Sequence, residues 1–96
     1  MGIVEVLQAR REEILHLAAK HGAYNVRVFG SVARGDAGPT SDVDLLVDCG
    51  PNRTPFFPGG LLAELEELLG RRVQVLTVEA IHRGIRDQVL REAVPL

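Results

Sequence analysis

Cysteine is nearly absent. The 96 residues hold one, Cys49, so no internal disulfide framework exists. With only three scattered histidines beside it, the chain cannot build a structural zinc site either. No apolar run approaches the ~18 residues that a membrane-spanning helix needs. The N-terminus lacks the short apolar core of a signal peptide. Lysine is scarce, with Lys20 alone among ten arginines. Neither sign of charge dominates: 11 Lys+Arg meet 13 Asp+Glu, a formal net charge of −2. That balance argues against a protein that coats nucleic acid by charge. Repeats and low-complexity tracts are missing. What remains, 46% apolar and 25% charged, argues against disorder. The expectation is one cytoplasmic globular domain over residues 1–96.

Hydrophobic spacing predicts the elements. From Ile3 to His21, apolar residues Val4, Leu7, Ile14, Leu17 and Ala18 recur at helical spacing, and Gly22 suits a left-handed stop. Asn25 to Phe29 alternates and reads as a strand. It runs into Gly30-Ser31, where a short helix begins with Ser31 as a candidate cap. Asp42 to Asp48 reads as a central strand buried on both faces. Leu61 to Leu69 is a helix ended by Gly70, and Val73 to Val78 a third strand. Glu79 to Ala93 is a last helix with Ile81, Ile85, Val89 and Leu90 toward the core. Alternating helices and strands give an α/β or α+β class, with helices packed on a small sheet.

One stretch carries chemistry. A strand that ends in Gly30-Ser31 and turns into a helix leaves backbone N–H groups free, a setting that attracts phosphate. Gly30 allows close approach, and Ser31 adds a hydroxyl. Asp42 and Asp44 lie two apart on a strand, so both carboxylates project from one face. Two such carboxylates repel each other, and a hard divalent ion relieves the repulsion. Mg²⁺ favours a few carboxylates completed by phosphate oxygens. A phosphate cradle next to a carboxylate pair is equipment for phosphoryl or nucleotidyl transfer. Taken singly, a Gly-Ser is a turn and an Asp-x-Asp a solvated strand edge. The combination, inside the apolar setting of Val43, Leu45 and Leu46, points to a site.

Gly30-Ser31, ten intervening residues and Asp42-Val-Asp44 resemble the signature of the DNA-polymerase-β-type nucleotidyltransferase superfamily. The fuller run, Gly-Ser-Val-Ala-Arg-Gly-Asp36 to Ser-Asp-Val-Asp-Leu-Leu-Val47, is similar to the minimal nucleotidyltransferases of bacteria and archaea. The resemblance implies a mixed sheet flanked by helices. It implies a nucleoside triphosphate donor, ATP, held by Gly30 and Ser31, and two Mg²⁺ ions bound by Asp42 and Asp44, which would be catalytic. Arg34 either assists with phosphate or pairs with Asp36 at the surface. Ser41 caps the turn before Asp42. Minimal nucleotidyltransferases are commonly partnered by an all-helical HEPN protein, a toxin, which they neutralise as antitoxins, in some cases by adenylylation.

The chain departs from the family pattern at one position. The family's third carboxylate lies on the next strand between apolar residues, and here that run is Val73-Gln74-Val75. A neutral amide is a poor Mg²⁺ ligand and no base. Glu79 is either a substitute or the acid that opens the last helix. Two functions stay open: an enzyme transferring AMP from ATP to a hydroxyl on a protein partner, or a weakened nucleotide-binding protein that neutralises its partner by contact. His16, His21 and His82 read as surface or cap residues, and Cys49 as a small residue at a strand end. Phe56-Phe57 lines the pocket, meets a partner, or packs on the core under a long loop.

Overall fold

A computed structural model describes residues 2–96. Its elements in chain order are α1 (Ile3–Ala9), α2 (Arg11–Lys20), β1 (Ala23–Phe29), α3 (Gly30–Arg34), β2 (Val43–Cys49), α4 (Gly59–Leu69), β3 (Val73–Thr77), α5 (Arg83–Glu92) and β4 (Val94–Pro95). A short 3₁₀ turn, Val78–Ala80, separates β3 from α5. The strands form one sheet in the order β3-β2-β1-β4. β1 is antiparallel to β2 and β4, whereas β2 and β3 are parallel. The result is the small mixed sheet with flanking helices that the family resemblance implies. Among the described residues no helix is long and apolar enough to cross a membrane.

β2 is central because its sequence is apolar toward both faces. Val43, Leu45 and Val47 are buried with Leu7, Ile14, Ala18, Leu61 and Leu65, under α1, α2 and α4. Leu46 points the other way and joins Phe29, Ile81 and Val89 in a second, smaller cluster. That second face is only partly covered, and Asp44 belongs to it by alternation. The chain reaches the site through two glycine turns. Gly22 adopts φ +84°, and a Cβ there would lie 2.6 Å from the Arg53 backbone. The loop after β2 therefore closes directly over the end of α2.

Several boundaries differ from the sequence reading. The single helix expected over Ile3 to His21 is broken at Arg10, with φ −104° and ψ 11°, although hydrogen bonds from Arg10 N to Val6 O and from Ile14 N to Arg10 O run through the break. α3 starts at Gly30, and no side chain caps it, so Ser31 is not its cap. Gly30, at φ +71°, makes the turn with backbone alone. The last helix starts later than Glu79: Thr77 Oγ1 accepts from Ala80 N at 3.1 Å and closes the 3₁₀ turn, and His82 Nδ1 accepts from Gly84 N at 3.1 Å and caps α5. Val89 within it and Ile81 just before it are buried, but Ile85 and Leu90 are exposed, because α5 covers only part of its sheet face. β4 is an added strand of two residues on the sheet edge, where a proline is tolerated.

His82 is the expected cap. His21 caps α2 but is buried, not at the surface: its Nδ1 lies 2.7 Å from Thr54 Oγ1 and its Nε2 3.4 Å from Glu64. The loop bearing Thr54 folds over it. Lys20, at 2.8 Å, holds the Glu64 carboxyl below the usual carboxylate range, with His21 adding to the effect. Phe57 packs on the core, whereas Phe56 is 93% exposed.

Candidate active site

The sequence-predicted residues converge. Gly30, Ser31, Arg34, Asp42 and Asp44 line one hollow of about 490 Å³, together with Phe29, Ser41, Gln74, Ile85, Gln88, Val89 and Glu92. The end of β1 and the first turn of α3 supply one wall. The carboxylates come from Asp42, which lies just before β2 and not on the strand as expected, and from Asp44, its second residue; α5 closes the far side. Phe56 and Phe57 do not border it, which removes them as pocket residues. A larger hollow of about 630 Å³ lies between α2 and α4, but Glu12, Glu13, Glu64 and Glu67 line it and would repel a polyphosphate.

The loop between α3 and β2 is tied down by polar bonds. Ser41 Oγ accepts from Gly38 N at 2.8 Å, so Ser41 does cap that turn. Arg71 donates to the Pro39 carbonyl at 3.0 Å and to the Ser41 carbonyl at 3.3 Å. Arg72 pairs with Asp42 at 3.3 Å, an exposed contact of small energetic weight. Asp44 then sits one step inside β2, in register with Phe29 on β1 and Gln74 on β3. Gly30 is fitted to it. An added Cβ at Gly30 would lie 3.0 Å from Asp44 Cγ, closer still to the carboxylate oxygen, and on a backbone that side chains rarely adopt. Gly30→Ala is expected to cost about 1–3 kcal/mol of stability and to push Asp44 out of place. Urea unfolding measures the first effect, and loss of metal-dependent ATP binding reports the second.

The charges explain what the site wants. Burial pushes the Asp44 carboxyl above the usual range, and the Asp42 charge adds to the rise; Arg34 pulls the other way, and Glu92 raises it again. Such a pair is relieved by a cation. Two carboxylates with room for phosphate oxygens fit one hard divalent ion such as Mg²⁺. Among the described residues no group of three or more His, Cys, Asp or Glu converges as a metal cage. Gln74 stands beside Asp44 on the neighbouring strand, at the hollow, and brings an amide there in place of a third acid. Glu79 does not replace it. It borders a separate small hollow with Tyr24, Asp48 and Thr77, past the opposite end of β3.

Arg34 does two things at once. It lines the hollow, and it pairs with Asp36 at 3.4 Å and with Glu92 at 2.6 Å. The Asp36 pair agrees with the surface reading of Arg34. The Glu92 pair is a contact that sequence reasoning missed, because 58 residues separate the partners.

A glycine turn beside a carboxylate pair, on a small mixed sheet, is an arrangement suited to a nucleotide-transferring class of protein. The chain belongs to the nucleotidyltransferase family, in its minimal form: residues 11–96 match the nucleotidyltransferase domain. A solved structure provisionally named a minimal nucleotidyltransferase is 51% identical, with a TM-score of 0.86 over 100% of this chain and 97% of that one. The protein adenylyltransferase MntA of Thermococcus cleftensis is 39% identical over 94 residues, 96% of this chain and 90% of that protein. A chain from a toxin-antitoxin crystal structure with AMP-PNP shares the fold, with a TM-score of 0.74 and 19% identity, over 88% of this chain and 69% of that one.

Proposed function

We propose that the protein transfers AMP from ATP to a hydroxyl group on a protein partner, in the cytoplasm, as the antitoxin of a helical HEPN-type toxin. The observation that carries the nucleotide part is the gathering of Gly30, Ser31, Arg34, Asp42 and Asp44 around one hollow. The name of its adenylyltransferase relative supports the adenylyl group and the protein acceptor. The toxin-antitoxin crystal structure that shares its fold supports a protein partner.

The chemistry balances simply. The acceptor oxygen forms a bond to the α-phosphorus, the bond from that phosphorus to the bridging oxygen breaks, and pyrophosphate leaves. The acceptor proton passes to solvent, since no base stands at Gln74. Mg²⁺, held by Asp42 and Asp44, would neutralise triphosphate charge. Gly30 lets the phosphates approach the backbone, Ser31 offers its hydroxyl, and Arg34 offers guanidinium N–H groups. These groups position the reactants and meet developing charge.

One observation favours a second reading. Gln74 beside Asp44 leaves the chain a carboxylate short, which suits a protein that binds nucleotide and restrains its partner by contact alone. The test is to co-purify the protein from its native host, identify the partner by mass spectrometry, and incubate both with labelled ATP and Mg²⁺. Label on the partner is the expected result. A stable complex that takes up no label points to the contact reading, and a chain that recovers no reproducible partner overturns both.

A further inference from the structure

A third acid borders the hollow proposed for the triphosphate. Glu92 is the last residue of α5, borders the same hollow as Asp42 and Asp44, and has a side chain only 18% exposed. Its position is unfavourable twice over. A negative charge near a helix C-terminus opposes the helix dipole. It also faces the site where triphosphate would bring more negative charge. Both costs are offset by one partner, Arg34, whose Nη1 donates to Glu92 Oε1 at 2.6 Å. Arg34 is itself the last residue of α3, so the ion pair joins two helix ends across the hollow.

The guanidinium is gripped from two sides. Nη1 goes to Glu92, and Nε goes to Asp36 at 3.4 Å. Among the described residues Nη2 meets no acceptor. An arginine side chain is long and rotamer-rich, and its entropy opposes binding unless something fixes it beforehand. From this geometry we infer that Glu92 is a positioning residue for nucleotide binding: with Asp36 it holds the Arg34 guanidinium at the hollow so that Nη2 is presented to the triphosphate. The inference deepens the proposed function and rests on it. The acid does not bind the nucleotide. It orients the group that does, and its own charge is already neutralised by that group.

The competing possibilities make different predictions. If Glu92 only repels anions, removing it tightens ATP. If it only ties α5 to α3, removing it lowers the melting temperature and leaves ATP affinity alone. If it positions Arg34, Glu92→Ala weakens ATP binding by about three- to tenfold, the scale of ordering one long side chain. Glu92→Gln keeps an oxygen that accepts from Nη1 and recovers part of that loss. The effect also depends on Arg34: Arg34→Ala with Glu92→Ala binds ATP no worse than Arg34→Ala alone.

Calorimetric titration of ATP with MgCl₂ into the full chain and these variants, with thermal unfolding of each, decides the matter. Unchanged or tighter ATP binding by Glu92→Ala, or equal further weakening in the Arg34→Ala background, overturns the inference while wild-type binding leaves the nucleotide reading standing. If Glu92→Ala fails to fold, Glu92→Gln and Glu92→Asp replace it, and affinity equal to wild type in both overturns the inference. A wild type that binds no ATP overturns the nucleotide reading and this inference together.

Discussion

Asp42→Asn combined with Asp44→Asn should abolish Mg²⁺-dependent ATP binding and lower AMP transfer by about 10³ or more. The magnitude follows from chemistry: metal-borne charge stabilisation contributes several kcal/mol, and each ~1.4 kcal/mol is tenfold in rate. The same substitution should stabilise the fold. Burial and the neighbouring Asp42 charge raise the Asp44 carboxyl above its usual range. A group with a raised folded-state pKa binds its proton more readily when folded than when unfolded. Stability therefore falls as pH rises from the ordinary carboxylate range through the raised value, and stays lower above it. The isosteric amides remove that penalty, so the double variant should melt higher than the wild type at pH 7 in metal-free buffer. The gap should narrow at acid pH, where the raised Asp44 carboxyl takes up its proton. The wild type should gain melting temperature on adding MgCl₂ with ATP, and the variant should not. Persistence of metal-dependent ATP binding in the double variant would show that the donors lie elsewhere.

The gathering of the candidate site's residues was legible in the sequence because its parts are local. Gly30-Ser31 and Asp42-Val-Asp44 fall at the ends of two consecutive strands, so their spacing already brings them to one edge of the sheet. Gln74 was legible for a related reason. An alternating run places one residue on each face in turn, and parallel pairing with β2 sets Gln74 against Asp44. Glu92 was not legible, since its meaning depends on where α5 lands, and nothing near it in the chain says that it meets Arg34. β4 escaped because two residues, one of them proline, carry no alternation to read. The burial of His21 depends on a loop that returns over it, bearing Thr54. The break at Arg10 lies between good helix formers, with no glycine or proline to mark it. Local spacing thus accounts for Gly30, Ser31, Asp42 and Asp44 meeting at one hollow, while long-range contacts decided which groups surround them.

Gln74→Asp is expected to raise AMP transfer to the partner by about 10²–10⁴, the usual worth of a positioned general base, with little change in ATP affinity. Gln74 is exposed at the hollow and is the register partner of Asp44 on adjacent parallel strands. Strands lie about 4.8 Å apart, so an aspartate there would put a third carboxylate alongside the first two. Without a cation that is costly, because like charges directly across two strands destabilise the pair and push Asp44 up further. The variant should therefore melt lower than the wild type in metal-free buffer and regain more stability than the wild type on adding MgCl₂. That second readout separates a metal-site effect from a general gain in activity. Labelled ATP, Mg²⁺ and the purified partner measure transfer, and melting curves with and without Mg²⁺ measure the coupling. Robust transfer by the wild type, undiminished in Gln74→Ala, would show that the missing carboxylate is not limiting and that the contact reading is wrong. No gain in either transfer or Mg²⁺-linked stability in Gln74→Asp would show that this strand position does not serve the acid pair at all.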